Sequence, residues 1–383
     1  MKILYLHRTQ GEEPESIHIL SIVSALRKQG HDVEILGPSK KDMASAGTNV
    51  RFLSAIKRYF PKILFEMIQI LYNFLYYFKI KKYLGRYRPD FIYERYALYS
   101  CAGVIAARHM NIPLILEVNT PYAHAWNKYY RLYFPKLAKY FERRILNSAS
   151  HVITVTDIQK EFLVQKYLKA ENISVCHNAI NVSEFNPDIK PAEVKWSVPD
   201  PVVIGFVGTM NRWQGIPVLS SVIPEVVEKT PNAVFLMVGD GEYRQQLEAD
   251  IEKCGCGEHV YFTGRVAHKD IPGYISSMDI TILPDSNEYG SPMKVFEYMA
   301  MKKAVIAPDV PPVQEIIEQN STGIIIRRSN KNDLSDAIIE LINNKDKRCA
   351  IADSSLEYVV KNHTWDVNAS KIVETFNALS HSN

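Results

Sequence analysis

The residues with the clearest chemical potential lie in the run Gly290-Ser-Pro-Met-Lys-Val-Phe-Glu-Tyr-Met-Ala-Met-Lys-Lys-Ala-Val-Ile-Ala-Pro308. Ser291 and Pro292 stand just before an apolar-periodic segment. Proline suits the first turn of a helix, because the N–H it lacks would have no intrahelical partner there. The spacing predicts a helix from Pro292 to Met301 and a short buried strand from Lys303 to Pro308. A loop that opens into a helix leaves backbone N–H groups unpaired, and the helix dipole favours an anion in front of them. Lys294 adds a positive charge in the first turn. Glu297, one turn further on, is suited to accept hydrogen bonds from two neighbouring hydroxyls. An anion beside a diol is what the phosphates and ribose of a nucleotide offer. An ordinary capped helix with a surface Lys and Glu accounts for these few residues equally well, so the rest of the chain must decide.

A second constellation has the same logic. Pro201 to Val207 reads as a buried strand and runs straight into Gly208-Thr-Met-Asn-Arg212-Trp-Gln-Gly215, a glycine turn with an Arg before a second helix. Gly208 permits close approach of a backbone, and Arg212 can grip phosphate oxygens through two parallel hydrogen bonds.

The elements that must position these residues follow from αβ alternation. Lys2 to Leu6 fits a buried parallel strand, followed by a polar loop from His7 to Glu15 that contains Gly11. Ser16 opens a helix with Ile19, Leu20, Val23 and Leu26 on one face, and Asp32 to Leu36 begins the next strand. This is a βαβ opening without the three-glycine spacing of a dinucleotide fingerprint. Asp90–Tyr93 and Pro113–Val118 read as further strands around a helix from Leu98 to Met110. In doubly wound folds ligands gather at strand carboxyl ends, which nominates Gly11, Glu94, Arg95, Asn119 and His124. A helix over 128–146, a strand over 151–155, a helix over 158–167 and a short strand over 173–176 complete this half.

Residues 177–199 carry three prolines and no sustained period, as a domain connection does. Alternation then restarts through strands at 201–207, 234–238, 260–266 and 279–284. The expected architecture is α/β: two doubly wound, Rossmann-like domains, 1–182 and 183–364, facing across a cleft whose closure would exclude water. The last helix, from Trp365, crosses back onto the first domain.

The span 55–88 differs from its surroundings. Lys57, Arg58, Lys62, Lys79, Lys81, Lys82, Arg86 and Arg88 surround an aromatic-rich segment in which Met67, Leu71, Phe74 and Phe78 recur at helical spacing. Glu66 is the only acid there. Burial of that stripe against the sheet is the simpler expectation, and peripheral contact with a membrane is the alternative.

Bulk properties narrow the class. The length of 383 residues exceeds one ordinary core, and 46% hydrophobic and 23% charged residues with a net charge of +3 describe a globular protein rather than a nucleic-acid binder. The five cysteines, at 101, 176, 254, 256 and 349, show no zinc or disulfide spacing, as expected of reduced thiols in the cytoplasm. The apolar run at Met1–Leu6 is too short for a signal peptide, and no run is long enough to span a bilayer. A cytoplasmic protein, at most peripheral on the inner face of a membrane, is expected.

The motifs in order are Phe206-Val-Gly-Thr-Met-Asn-Arg-Trp-Gln-Gly215, Met237-Val-Gly-Asp-Gly-Glu242, Phe262-Thr-Gly-Arg-Val266, Met278-Asp279 with Leu283-Pro284, and Ser291-Pro through Phe-Glu-Tyr-Met-Ala300. Together with His151–Thr156, Val175–Phe185, Ser16-Ile-His18 and Gly30–Val33, they resemble glycosyltransferase family 4 over nearly the whole chain. The resemblance implies the GT-B fold and retaining transfer of a sugar from a nucleotide sugar to a hydroxyl of a saccharide or lipid-linked saccharide, as in bacterial polysaccharide or glycolipid synthesis. It implies no bound metal or other cofactor. By the same resemblance Arg212, Lys294 and Asn119 are catalytic. Gly208, Thr209, Gln214, Arg265, Val266, Ser291, Pro292, Met293, Val295 and Glu297 bind the donor, while Gly11, Glu94, Arg95 and His124 lie on the acceptor side. Three departures stand out: Gln214 where the family usually has Lys, Tyr289 in the register of the first motif glutamate, and Asn119 in place of a common His. A non-catalytic nucleotide-sugar binder, or an epimerase or hydrolase, are the alternatives on the same architecture.

Overall fold

Every strand pairing among the described residues is parallel, and the strands sort into two six-stranded sheets. The computed structural model describes residues 1–8, 13–37, 62–124 and 132–381. The chain divides into two units, Met1–His177 with Trp365–Asn383, and Asn178–Thr364. Parallel pairing follows from the strand sequences. Runs such as Ala233–Val238 and Ala304–Pro308 are buried along their whole length, which requires helices on both faces of the sheet.

In the first unit the elements run β1 (Lys2–Leu6), α1 (Glu13–Lys28), β2 (Asp32–Leu36), α2 (Lys62–Tyr87), β3 (Phe91–Arg95), α3 (Ala102–His109), β4 (Leu114–Val118), α4 (Pro135–Leu146), β5 (His151–Thr154), α5 (Asp157–Lys166) and β6 (Ile173–Val175). The second continues with β7 (Val202–Val207), α6 (Ile216–Lys229), β8 (Ala233–Val238), α7 (Arg244–Lys253), β9 (Val260–Gly264), α8 (Ile271–Ser276), β10 (Ile280–Ile282), α9 (Met293–Ala300), β11 (Ala304–Pro308), α10 (Pro311–Gln314), β12 (Ile324–Ile326), α11 (Lys331–Asn343) and α12 (Lys345–Asn362). The last helix, α13 (Trp365–His381), belongs to the first unit. It is held on α1 by Lys28 Nζ to Asp366 at 2.6 Å and by the Trp365 ring 4.7 Å from His18, and on β3 by stacking of Phe376 on Phe91.

Sheet order locates the places where a ligand can enter. The first sheet is β2-β1-β3-β4-β5-β6 and the second β12-β11-β10-β7-β8-β9. Strand order therefore reverses between β1 and β3 in one unit and between β7 and β10 in the other. At such points the loops leave in opposite directions and open a crevice at the carboxyl ends. The two candidate constellations at Gly208 and Ser291 follow β7 and β10.

Two expectations need correction. The helix predicted over 98–110 begins only at Ala102. Tyr99 sits at φ 64°, and the Asn73 amide of α2 accepts from Cys101 N and Ala102 N and donates to Tyr99 O at 2.6 Å. A side chain from another helix thus satisfies the amino-terminal N–H groups of α3 and cuts it short. The second correction concerns α2. The stripe Met67, Leu71, Phe74, Phe78 faces outward, and Tyr76, Ile80 and Leu84 face the core. The tyrosines decide the rotation of this helix. Tyr76 OH donates to Leu36 O (2.9 Å) and lies 3.1 Å from His7 O, Tyr83 OH donates to Glu34 (2.7 Å), and Tyr87 OH donates to Asp32 O (2.7 Å). An aromatic ring ending in a hydroxyl can cover the sheet and also satisfy its edge carbonyls, which Phe and Leu cannot. Lys57 and Arg58 of the predicted basic span lie outside the described residues.

Truncation of the inward side should therefore cost far more than truncation of the outward one. Leu84→Ala is expected to lower unfolding free energy by about 2–5 kcal/mol, and Phe74→Ala by no more than about 0.5 kcal/mol, as measured by urea denaturation.

Candidate functional site

In the second unit β7 delivers Gly208 to the crevice at φ 141°, a conformation that side chains strain to adopt. The position is also sterically closed. A Cβ there would stand 2.3 Å from Lys294 Nζ, and a Cβ on Gly239 would stand 2.1 Å from Gly208 O. After Gly208 the chain makes one 3-10 turn at Arg212–Gln214 and enters α6. Helix α9 is seated against the same strand end, because Val207 N donates to Tyr298 Oη at 2.9 Å. This N–H lies beyond the pairing of β10 with β7, which ends at Gly205.

That seat places Lys294 over Gly208. Its ammonium donates to Gln214 Oε1 at 2.7 Å and lies 4.9 Å from the centre of the Phe206 ring. Burial pulls the Lys294 ammonium down to about 8, with Glu297 opposing. Burial likewise pushes the Glu297 carboxyl up to about 7, with Lys294 opposing. An ammonium from α9 thus stands beside the uncharged side chain at position 214. Arg212 is exposed, with its guanidinium 5.2 Å from the centre of the Tyr243 ring, and Thr209 is exposed beside it.

The loop before α9 is shaped by its own side chains. Asn287 Oδ1 accepts from Tyr289 N and Gly290 N, and Pro292 enters the helix in extended conformation. Arg328 binds Asp285 (2.7 Å) and Glu288 (2.9 Å), which ties down both acids that neighbour Tyr289. The Ser291 hydroxyl is buried and makes no hydrogen bond among the described residues. Met293 is half-buried. Val295 sends its side chain into the core and its N–H to Pro292 O at 3.0 Å. Arg265 is exposed past the end of β9, while Val266 packs on the core. One crevice therefore gathers Gly208, Gln214 and Lys294, with Glu297 one turn along α9.

In the first unit the carboxyl ends of β1, β3 and β4 carry a buried polar cluster. Glu117 accepts from Tyr93 OH (2.7 Å), Arg95 Nη1 (3.0 Å) and Asn119 Nδ2, and His18 Nε2 lies 3.5 Å away. Burial opposes ionisation of Glu117, yet His18, Arg95 and these hydrogen bonds hold its carboxyl below the ordinary value. His18 is pulled down to about 4 by burial. It is therefore neutral, accepting from Arg95 at Nδ1 (2.8 Å) and turning its Nε2–H toward Glu117. Arg95 and Asn119 thus meet at Glu117. Glu94 faces the start of α3 instead. It is pushed up to about 8 by burial, with one oxygen 3.4 Å from Ser100 Oγ and the other making no hydrogen bond among the described residues. His124 packs its ring 4.8 Å from that of Phe162, and Gly11 lies outside the described residues.

Sequence reasoning passed over His7 and Arg8, which leave the end of β1. Both ring nitrogens of His7 are buried without a hydrogen bond among the described residues, and burial pulls that ring down to about 4. The available signal was position alone: polar residues immediately after a buried strand at a reversal of strand order.

The two halves of the chain match two family profiles, Glycosyltransferase Family 4 over residues 16–184 and Glycosyl transferases group 1 over residues 190–356. Among curated relatives, the alpha-D-kanosaminyltransferase of Streptomyces kanamyceticus is 24% identical over 259 residues, covering 66% of this chain and 67% of its own. A GDP-mannose-dependent alpha-(1-6)-phosphatidylinositol monomannoside mannosyltransferase of Mycobacterium tuberculosis is 23% identical over 242 residues, covering 61% and 63%. Among solved structures, Anabaena HepE in complex with UDP superposes with a TM-score of 0.71 at 16% identity, over 99% of this chain and 100% of that one. Sucrose-phosphate synthase of Thermosynechococcus elongatus superposes with 0.73 at 17% identity, over 100% of each.

The buried ammonium has a direct signature. In a lysine-selective NMR titration one lysine is expected to titrate at about 8, well below the ordinary lysine range, and that resonance should vanish in Lys294→Met. Glu297→Gln removes the attraction that opposes burial and should move the midpoint lower still.

Proposed function

This chain belongs to glycosyltransferase family 4, and from that premise we propose a retaining, metal-independent transfer of a sugar from a nucleoside-diphosphate sugar to a hydroxyl of a saccharide or lipid-linked saccharide. The fold is GT-B, two parallel-sheet Rossmann-like domains. The observation that carries the reading of the donor side is the Lys294 ammonium, held by Gln214 directly over Gly208 with Glu297 one turn on. Gly208 leaves a backbone bare enough for a diphosphate, Lys294 and Arg212 supply positive charge, and Glu297 takes the ribose hydroxyls.

In the reaction the bond from the anomeric carbon to the diphosphate breaks and a bond to the acceptor oxygen forms on the same face. The electron pair leaves with the nucleoside diphosphate, whose growing negative charge is stabilised by Arg212, Lys294 and the start of α9. The acceptor proton passes to a phosphate oxygen of the departing group, so no protein base is required. Gln214 in place of the usual Lys and Tyr289 in the register of the first motif glutamate are what favour a non-catalytic binder; Lys294 beside Gln214 weighs against the first of these.

The test is thermal-shift binding against UDP-, GDP-, ADP- and TDP-sugars with a chelator present. One nucleotide class should stabilise the protein, and Glu297→Ala should abolish the shift. Absence of stabilisation by any of the four would overturn the reading. Arg212→Ala is expected to lower kcat by about 10²–10³-fold with the fold intact. Donor affinity should fall below pH 7, where Glu297 takes up a proton and loses its acceptor charge. It should also fall above pH 8, where free Lys294 loses the proton that the bound diphosphate requires. Isothermal titration across this range reads both limbs.

A further inference from the structure

The outward face of α2 is apolar for its first four turns and cationic for its last two. Leu71, Phe74 and Leu75 are 68%, 68% and 66% exposed, and Ile63, Met67, Ile68 and Phe78 extend the same stripe along the helix. A stripe from 63 to 78 is about 22 Å long at the helical rise. Spacings of four and three residues carry that face on from Leu71 through Leu75 and Phe78 to Lys82 and Arg86, flanked by the exposed Lys79 and Lys81. Neighbouring α4 repeats the composition, with exposed Lys136, Leu137, Lys139, Tyr140, Arg143 and Arg144.

Acids are missing from both faces for a structural reason. The only acid of α2, Glu66, is buried and accepts from Tyr133 N (2.8 Å), Phe134 N (3.2 Å) and Tyr99 OH (2.7 Å), so it fastens the start of α4 to α2. The only acid of α4, Glu142, is buried too and accepts from Tyr96 OH and Ala123 N. Each helix therefore spends its single negative charge inside the unit and shows only apolar and positive groups outside. Among the described residues no helix is long and apolar enough to cross a membrane.

We propose that this face docks the first unit on an anionic lipid surface. Helix α2 lies in the plane of the interface, its apolar turns sunk among acyl chains and Lys81, Lys82 and Arg86 set against lipid phosphates, while Lys79 donates to Gly37 O at 2.6 Å. Charge selects this occupant, because a second copy would bring the same cations and no acids to the contact. The inference stands on the first unit alone and does not rest on the proposed reaction.

The test is flotation of the full chain with phosphatidylcholine vesicles, with and without phosphatidylglycerol. The wild type should float with the anionic vesicles, less so as salt is raised. Leu71→Ser/Phe74→Ser/Phe78→Ser should lower partitioning at least about tenfold, and Lys81→Glu/Lys82→Glu/Arg86→Glu should erase the preference for phosphatidylglycerol. Thermal midpoint and nucleotide-sugar binding, which read the fold and the second unit, should not change in either variant. The proposal is overturned if the wild type does not float, or if the serine variant floats equally well. It is also overturned if the wild type is a dimer that the serine variant converts to a monomer without any effect of lipid.

Discussion

The crevice of the second unit depends on one close contact, the Lys294 ammonium against the bare backbone of Gly208. Any side chain at 208 would occupy the space of the ammonium, and any drift of α9 would withdraw it from Gln214. The position of α9 is therefore fixed at several points. Tyr298 takes the N–H of Val207, while Val295, Phe296 and Met299 lie wholly in the core. A half-buried charge needs such rigidity, since loose packing would let water in and remove the electrostatic advantage of the dry pocket.

The two units solve the same problem differently at their strand ends. In the second, polar groups are few and a ring face, an amide and a carboxylate share one cation. In the first, Glu117 is fully engaged by Tyr93, Arg95 and Asn119, a network that ties the ends of β3 and β4 together. Beside it, the His7 ring and one oxygen of Glu94 are buried without hydrogen bonds among the described residues. Such groups lose solvation without local repayment, so they tax the fold unless a polar molecule completes them. Their protonation states follow the same logic: both are neutral near pH 7, the form in which burial costs least.

Much of this was legible in the sequence, and the limits have physical causes. Period and composition identified the parallel strands, because a strand buried on both faces must be apolar throughout, as Ala233–Val238 is. Glycine, proline and charge at strand ends identified the Gly208 and Ser291 loops. Periodicity could not orient α2, which carries two apolar stripes; the hydroxyls of Tyr76, Tyr83 and Tyr87 decide between them through bonds to β2 and the residues around it. Nor could spacing reveal that Lys294 stands beside Gln214, eighty residues away, since only the adjacency of β7 and β10 brings them together. Asn73 capping α3 was hidden for the same reason.

A cation at position 294 differs from one at position 214 in more than its address. Lys294 lies in the first turn of α9, where the helix dipole already presents partial positive charge, an unfavourable place for an ammonium by about 0.3–1 kcal/mol. Burial adds to that cost, and both effects favour the neutral amine. The diphosphate of the proposed donor would reverse each of them, lying before the dipole and beside the ammonium at once. On the proposed reading the free protein holds a disfavoured charge that the ligand would relax, and part of the cost of keeping Lys294 in place would return as affinity for an anion. A lysine on the 3-10 turn at 212–214, outside the first turn of α9, would be more comfortable in the empty site and would gain less when the anion arrives.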